Sequence, residues 1–177
     1  DITERKRVEQ ELDTLAHFDP LTQLPNRGLL RDRLDQAMAR ARRNGEIIGL
    51  MLIDLDRFKE INDSLGYAAG DSVLQEVGQR LSARMRNTDT VARIGGDEFV
   101  VLLEGCTDTT QIVVAAGKAR DALDLPISIG EHELFLGGSI GISVFPDDGV
   151  SQDDLFKSAD IALYEAIEWL KARSLTK

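Results

Sequence analysis

From Ile47 to Ile53 the chain reads IIGLMLI, without one polar side chain, and position 54 is an aspartate. A short, continuous apolar run predicts a strand covered on both faces, since a strand with one wet face would alternate polar and apolar residues. Such a strand exists only inside a layered fold, with helices above and below it. The flanking sequence provides them. A helix is expected over about 26–43, with Leu29, Leu30, Leu34, Ala37, Met38 and Ala41 facing inward and Asn44-Gly45 ending it. Asp71 to Met85 predicts another, with Val73, Leu74, Val77, Leu81 and Met85 on one side and Asp71 as N-cap to a helix starting at Ser72. Residues 110–124 and 151–173 predict two more helices. TVARI and FVVLLE predict paired strands on either side of the glycines at 95 and 96, and LFLGGSIGISVF a further strand region. Helices alternating with strands around an apolar sheet give a mixed α/β layer fold.

Residues 1–18 predict a helix of another kind. Val8, Leu12 and Leu15 make a narrow apolar stripe among charges. The stripe reads either as the seam of a short coiled coil or as a helix lying on the domain itself. Asp19-Pro20 breaks it. The expected division is a linking helix at 1–18 and one domain at 19–177, long enough for a sizeable core. No run approaches the roughly eighteen apolar residues of a membrane span, and nothing resembles a secretory leader. A single cysteine, Cys106, fits a reducing compartment. The expectation is a cytoplasmic segment without membrane contact of its own, whether or not its parent is membrane-attached. One cysteine and two histidines argue against a zinc site. A net charge of −10 argues against a nucleic-acid binder, but leaves room for a phosphate ligand carried by magnesium. The chain opens on Asp1, not methionine, as expected of a piece of a longer protein.

The stretch VARIGGDEFVVLL, residues 91–103, sets two glycines and two carboxylates between apolar runs. Two-residue hairpins favour glycine because their primed turns need positive φ, so Gly95-Gly96 is expected to make a tight turn. Alone, this is an ordinary solvated hairpin tip. Asp54 changes the balance. An acid closing a buried strand is costly unless paired or metal-bound, and ligands of α/β sheets collect beyond the carboxyl ends of such strands. With the 47–54 strand beside the hairpin, Asp54 and Asp97 come within reach of each other. Two carboxylates and nearby backbone carbonyls form a hard-oxygen site suited to Mg²⁺, which brings phosphate with it. Phe58 and Lys59 follow at once, offering loop N–H groups and a cation to the same phosphates.

Three stretches in this order, DPLTQLPNR at 19–27, DLDRFKEINDSLGYAAGD at 54–71 and GGDEF at 95–99, closely resemble the GGDEF-domain diguanylate cyclases, over about residues 19–166. The opening DITERKRVEQEL looks like the junction after a PAS-type sensor domain. The resemblance implies a central, mainly antiparallel sheet flanked by helices, similar to nucleotide cyclase and polymerase palm domains. It implies an activity, the condensation of two GTP into cyclic di-GMP with release of two pyrophosphates. By the same resemblance, Asp54, the carbonyl of Leu55 and Asp97 hold Mg²⁺, with Mn²⁺ as the alternative ion. Asp97 lies where the 3′-hydroxyl loses its proton, with Glu98 beside it. Lys59 and the Phe58–Lys59 backbone grip the β- and γ-phosphates, and Lys59 serves catalysis there. Asn62 and Asp71 read the guanine edge, so that ATP would leave a buried acceptor unpaired. Gly95 and Gly96 let the nucleotide lie against the turn, and the Tyr67 hydroxyl donates to it.

One site holds one GTP, so ring closure needs two domains face to face in a two-fold homodimer. Arg86 and Asp89 stand in the RxxD spacing that in this family forms an inhibitory site for the product, completed by Lys118 or Arg120. An arginine forks onto guanine O6 and N7; without the spacing, Arg86 would read as a cation favoured at a helix C-terminus.

The tail departs from the family. Members usually continue after a motif like ADIALYEA, here 159–166, with lysine and then Gly-Arg, cations that help hold the triphosphate. Ile167 stands at the lysine position, Leu170 at the glycine and Lys171 at the arginine. One missing cation costs on the order of a few kcal/mol of binding, for which Lys171 or Arg173 would compensate. Gln23 stands where glycine is usual, and Tyr67 where histidine is common. The expectation is a Mg²⁺-dependent, product-inhibited diguanylate cyclase. The second reading is a module that binds GTP or cyclic di-GMP without catalysis and signals to a neighbour.

Overall fold

The computed structural model describes residues 1–175, of which 173–175 by their backbone only. The order is α1 (Ile2–His17), α2 (Arg27–Asn44), β1 (Ile47–Leu55), α3 (Phe58–Leu65), α4 (Tyr67–Arg84), β2 (Thr90–Gly95) and β3 (Glu98–Cys106). There follow α5 (Thr109–Asp124), β4 (Ile127–Ile129), β5 (His132–Leu134), β6 (Gly138–Phe145) and α6 (Gln152–Leu175). The main sheet runs β2-β3-β1-β6 with every pairing antiparallel, and β4 and β5 form a separate hairpin.

The apolar run is β1, and it is central for the reason its sequence gives. Met51, Ile53 and Leu55 face one core with Val73, Leu81, Phe99, Val101 and Ile112, under α3, α4 and α5. Ile48, Leu50 and Leu52 face the other with Leu30, Leu34, Leu102, Phe145 and Leu155, under α2 and α6. Each fully buried Leu or Ile in these layers contributes roughly 1.5–3 kcal/mol. At Gly141 an added Cβ would stand 2.3 Å from the Ala159 carbonyl oxygen, so β6 lacks a side chain where α6 lies on its backbone.

The ends of the elements correct several expectations. Asn26 is the N-cap of α2, its Oδ1 accepting from the Leu29 N–H at 3.0 Å, and Gly45 closes that helix in the left-handed region at φ 67°. Residues 58–65, expected as loop, are α3. The helix expected from Ser72 starts at Tyr67 behind Gly66, whose φ of 93° separates it from α3; Asp71 therefore sits inside α4 and is not its N-cap. The LFLGGSIGISVF region divides, because β5 ends at Leu134 and β6 begins at Gly138.

α1 buries none of its residues, and Val8, Leu12 and Leu15 are 48%, 61% and 59% exposed. It does not lie along its own domain. Its C-terminal end is held by the next turn, where Asn26 N–H donates to the His17 carbonyl at 2.8 Å and Asn26 Nδ2 to the Ala16 carbonyl at 3.0 Å. No described helix is long and apolar enough to cross a membrane.

Candidate functional site

Three strand ends converge on Asp54. In register it faces Glu98 of β3 on one side and Ser139 of β6 on the other. The two residues between the paired Gly95 and Glu98 are Gly96 and Asp97, so the turn is Gly96–Asp97 and Gly95 is the last residue of β2. A register shift between Arg93 and Gly95 moves the turn one residue along from the expected Gly95–Gly96. Gly95 and Gly96 take φ of 155° and 45°, which explains both glycines. Leu55 N–H reaches the Asp97 carbonyl at 3.4 Å, tying β1 to the turn.

Asp97 is a close neighbour of Asp54, and the Asp54 carboxyl is pushed up to about 7. Burial is the largest cause, followed by the neighbouring Asp97 carboxyl and then the negative charges of Glu98 and Asp56. An acid in such company is starved of positive charge, and a divalent cation would restore its ionised form. Among the described residues no three histidine, cysteine or carboxylate side chains converge as a ready-made cage. The side-chain donors on offer are the two carboxylates. An oxygen-only, incomplete set of this kind fits a hard divalent cation that keeps positions for water and phosphate.

Phe58 and Lys59 form the first turn of α3, not a loop, so the N–H groups and the cation are presented from a helix N-terminus. Lys59 is exposed. Asn62, farther along α3, has its Oδ1 buried without a hydrogen-bond partner. A Cβ on Gly70 would stand 1.8 Å from that oxygen and 3.3 Å from Phe58 Cζ, so the bare backbone of α4 makes the space for Asn62. Asp71 follows Gly70 directly and is exposed, and Tyr67 is 78% exposed at the head of α4. The Asn62 oxygen is thus closed off and unpaired, whereas the Asp71 carboxylate, one residue beyond Gly70, is open to solvent.

A cavity of about 690 Å³ opens beside Asp54 and Leu55, walled by Arg57, Ile167, Leu170 and Lys171. The end of α6 therefore reaches the site, and Lys171 also pairs with Glu168 at 3.7 Å. The Arg173 side chain lies outside the described ones. Sequence reasoning passed over two residues here. Asp56 accepts from the Ser139 hydroxyl at 3.0 Å, and burial raises its carboxyl against that bond and the charges of Arg120 and Arg57. Arg57 holds the left-handed conformation at φ 62° as N-cap of α3 without a capping side-chain bond. The alternating acids of DLD were the available signal for the first; nothing in the sequence marks the second.

Arg86 and Asp89 are brought together away from this site. Arg86 donates from Nη2 to Asp89 Oδ1 at 3.0 Å and to the Glu104 carbonyl at 2.8 Å, and its N–H donates to Asp89 Oδ2 at 2.9 Å. A cavity of about 640 Å³ beside Arg86 is walled by Arg33, Arg40, Asn87 and Glu104. Lys118 does not line it, and Arg120 acts on Asp56 instead; α2 supplies the neighbouring cations where α5 was expected to.

The family model described as "Diguanylate cyclase, GGDEF domain" matches residues 16–171. The bifunctional diguanylate cyclase/cyclic di-GMP phosphodiesterase MucR of Pseudomonas aeruginosa is 42% identical over 164 residues, 93% of this chain and 24% of that protein. A sensory box/GGDEF family protein of Caulobacter crescentus CB15, known from its crystal structure, is 40% identical with a TM-score of 0.82, over 86% of this chain and 99% of that one. The coiled coil and GGDEF domain of DgcB from Caulobacter crescentus, solved in complex with c-di-GMP, is 25% identical with a TM-score of 0.80, over 94% of this chain and 90% of that one. The chain spans about a quarter of the length of the curated relatives it matches first. Cyclases of this family use divalent metal ions. With its antiparallel sheet, its turn at the end of the central strand and this match over most of its length, the chain belongs to the GGDEF diguanylate cyclase domain family.

Proposed function

We propose that this domain condenses two GTP into cyclic di-GMP and two pyrophosphates. The observation that carries the reading is the Asp54–Asp97 pair, two neighbouring carboxylates at the end of a buried strand. Asp54, the Leu55 carbonyl and Asp97 hold Mg²⁺, or Mn²⁺ in its place, and the bound ion supplies positive charge to the phosphates. Lys59 and the first N–H groups of α3 bind the β- and γ-phosphates, with Lys171 at the far wall. The Asn62 oxygen and the Asp71 carboxylate take the guanine N–H groups that adenine lacks, and the Tyr67 hydroxyl donates to the nucleotide. Asp97 takes the proton of the 3′-hydroxyl, with Glu98 beside it. The 3′-oxygen then bonds to the α-phosphorus of the facing GTP, and the bond from that phosphorus to the bridging oxygen breaks to release pyrophosphate. Two domains with opposed sites complete the ring.

The domain acts downstream of a sensor in its parent chain, on the cytoplasmic side. Cyclic di-GMP binds at Arg86 and Asp89 and inhibits, with Arg86 exchanging its internal partners for guanine. The walls at Ile167 and Leu170 favour a second reading, a module that binds GTP or cyclic di-GMP without turnover. Incubation with GTP and Mg²⁺ over a range of protein concentrations, with cyclic di-GMP quantified by chromatography, separates the two. Product that disappears in Asp97→Ala is expected. Nucleotide bound but never converted, even in a tethered dimer, would move the assignment to the binding module.

A further inference from the structure

The turn that carries Asp97 has little to hold it. A Cβ at Gly95 or Gly96 would meet no heavy atom within 4 Å, so nothing packs upon those positions. Strand pairing is already irregular between Arg93 and Gly95. The bond from Leu55 N–H to the Asp97 carbonyl, at 3.4 Å, is at the long limit for such bonds. The short bond comes from Arg93, whose Nε donates to the Gly96 carbonyl at 2.9 Å.

The same guanidinium is pinned at its other side. Arg93 Nη1 donates to Asp19 Oδ1 at 2.8 Å, and the Arg93 N–H donates to the Pro25 carbonyl at 3.1 Å. Asp19 is itself fixed, its Oδ2 accepting from the Thr22 N–H at 2.8 Å and the Thr22 hydroxyl at 2.7 Å. The two side chains are only 15% and 14% exposed, which keeps the ion pair largely out of water. Holding the 19–26 loop against the sheet would need the ion pair alone. The Nε bond goes instead to the peptide that immediately precedes Asp97.

We propose that Arg93, braced by Asp19, is a positioning residue that fixes the Gly96–Asp97 peptide so that Asp97 faces Asp54. A guanidinium suits this task because its donors lie in one rigid plane, so an anchor on one nitrogen sets the direction of another. Lysine keeps the charge but has one freely rotating nitrogen in place of the two linked donors Nε and Nη1, so an anchor on Asp19 no longer sets the direction of a bond to Gly96. The inference rests on the role given to Asp97 above, and its test has an arm that does not.

The variants are Arg93→Lys, Asp19→Asn and the pair together. The first arm is amide hydrogen exchange of the metal-free protein. Arg93→Lys is expected to speed exchange at Leu55, whose N–H ends on the Asp97 carbonyl, by on the order of tenfold, while Leu52 and Val101 in the same sheet keep their protection. The second arm is steady-state turnover of GTP. A roughly 10–100-fold fall in kcat is expected from the misplaced acid, with the GTP KM within about twofold. Asp19→Asn should act in the same direction but less, and the double variant should be no worse than Arg93→Lys. Unchanged Leu55 exchange overturns the proposal, as does equal loss of protection across the sheet, or a local change in exchange with kcat unaltered in an active protein. If the unaltered protein makes no cyclic di-GMP, the catalytic reading fails, and the exchange arm still decides what Arg93 does.

Discussion

A carboxyl group pushed to about 7 in the folded chain holds its proton more tightly than the same group unfolded, whose ordinary value is 3.8. Between these two values the folded state binds more protons than the unfolded one, so Asp54 makes stability fall as pH rises through about 4 to 7 and adds no further slope above. Asp54→Asn removes the charge and keeps the shape. The metal-free variant is expected to lose this part of the pH slope and to gain about 0.5–2 kcal/mol at pH 8, a gain common where a strained functional group is neutralised. Urea unfolding of both proteins from pH 4 to 8 measures it, and parallel curves would contradict it. A divalent ion should act on the parent protein alone, raising its stability at pH 7 and releasing protons as it binds. The acid at the end of an apolar strand was legible because burying an unpaired charge is costly whatever the fold. The Arg93–Asp19 pair was not, since 74 residues separate its members and no local pattern links them.

Among the elements, the legible ones were those whose burial leaves a period in the sequence. β1 is covered on both faces and reads as an unbroken run, and α2 carries both its stripe and its caps. α3 spans eight residues and buries Ile61 alone, too little for a periodic signal. β4 and β5 are three residues each, shorter than any alternation can show. The start of α4 was misplaced because Gly70-Asp71 resembles a helix start, whereas Gly66 makes the break and Gly70 is an interior glycine. That glycine gives a prediction in which propensity and packing oppose each other. Gly70→Ala should gain about 1 kcal/mol as helix, but its Cβ would stand 1.8 Å from Asn62 Oδ1. The expected outcome is a nearly unchanged melting temperature and roughly tenfold weaker GTP binding, the worth of one displaced hydrogen bond, with ATP binding little affected. Calorimetric titration of both nucleotides reads this directly, and an intact preference for GTP would show that Asn62 does not read the base.

At the scale of the whole molecule, one chain offers one Asp54–Asp97 pair, whereas a ring of two nucleotides needs two attacks. The proposed chemistry therefore depends on how well two copies meet. The exposed stripe of Val8, Leu12 and Leu15 on α1 is the surface with the spacing for a parallel pair, and no residue of α1 is buried in the single chain. It is short. A 16-residue helix with three seam positions is near the lower limit for stable pairing, so association through α1 alone should be weak and turnover should rise with protein concentration. Leu12→Glu places like charges on the seam. It is expected to lower specific activity by about tenfold at a fixed micromolar concentration, the equivalent of about 1.4 kcal/mol of lost pairing. GTP binding per chain and the melting temperature of the domain should stay as they were, because Leu12 touches neither the site nor the core. Sedimentation and turnover measured on the same samples test the link, and a dimeric zipper fused ahead of α1 should restore activity to the variant. Specific activity that is flat with dilution and indifferent to Leu12→Glu would mean that the sites are opposed through another face of the domain.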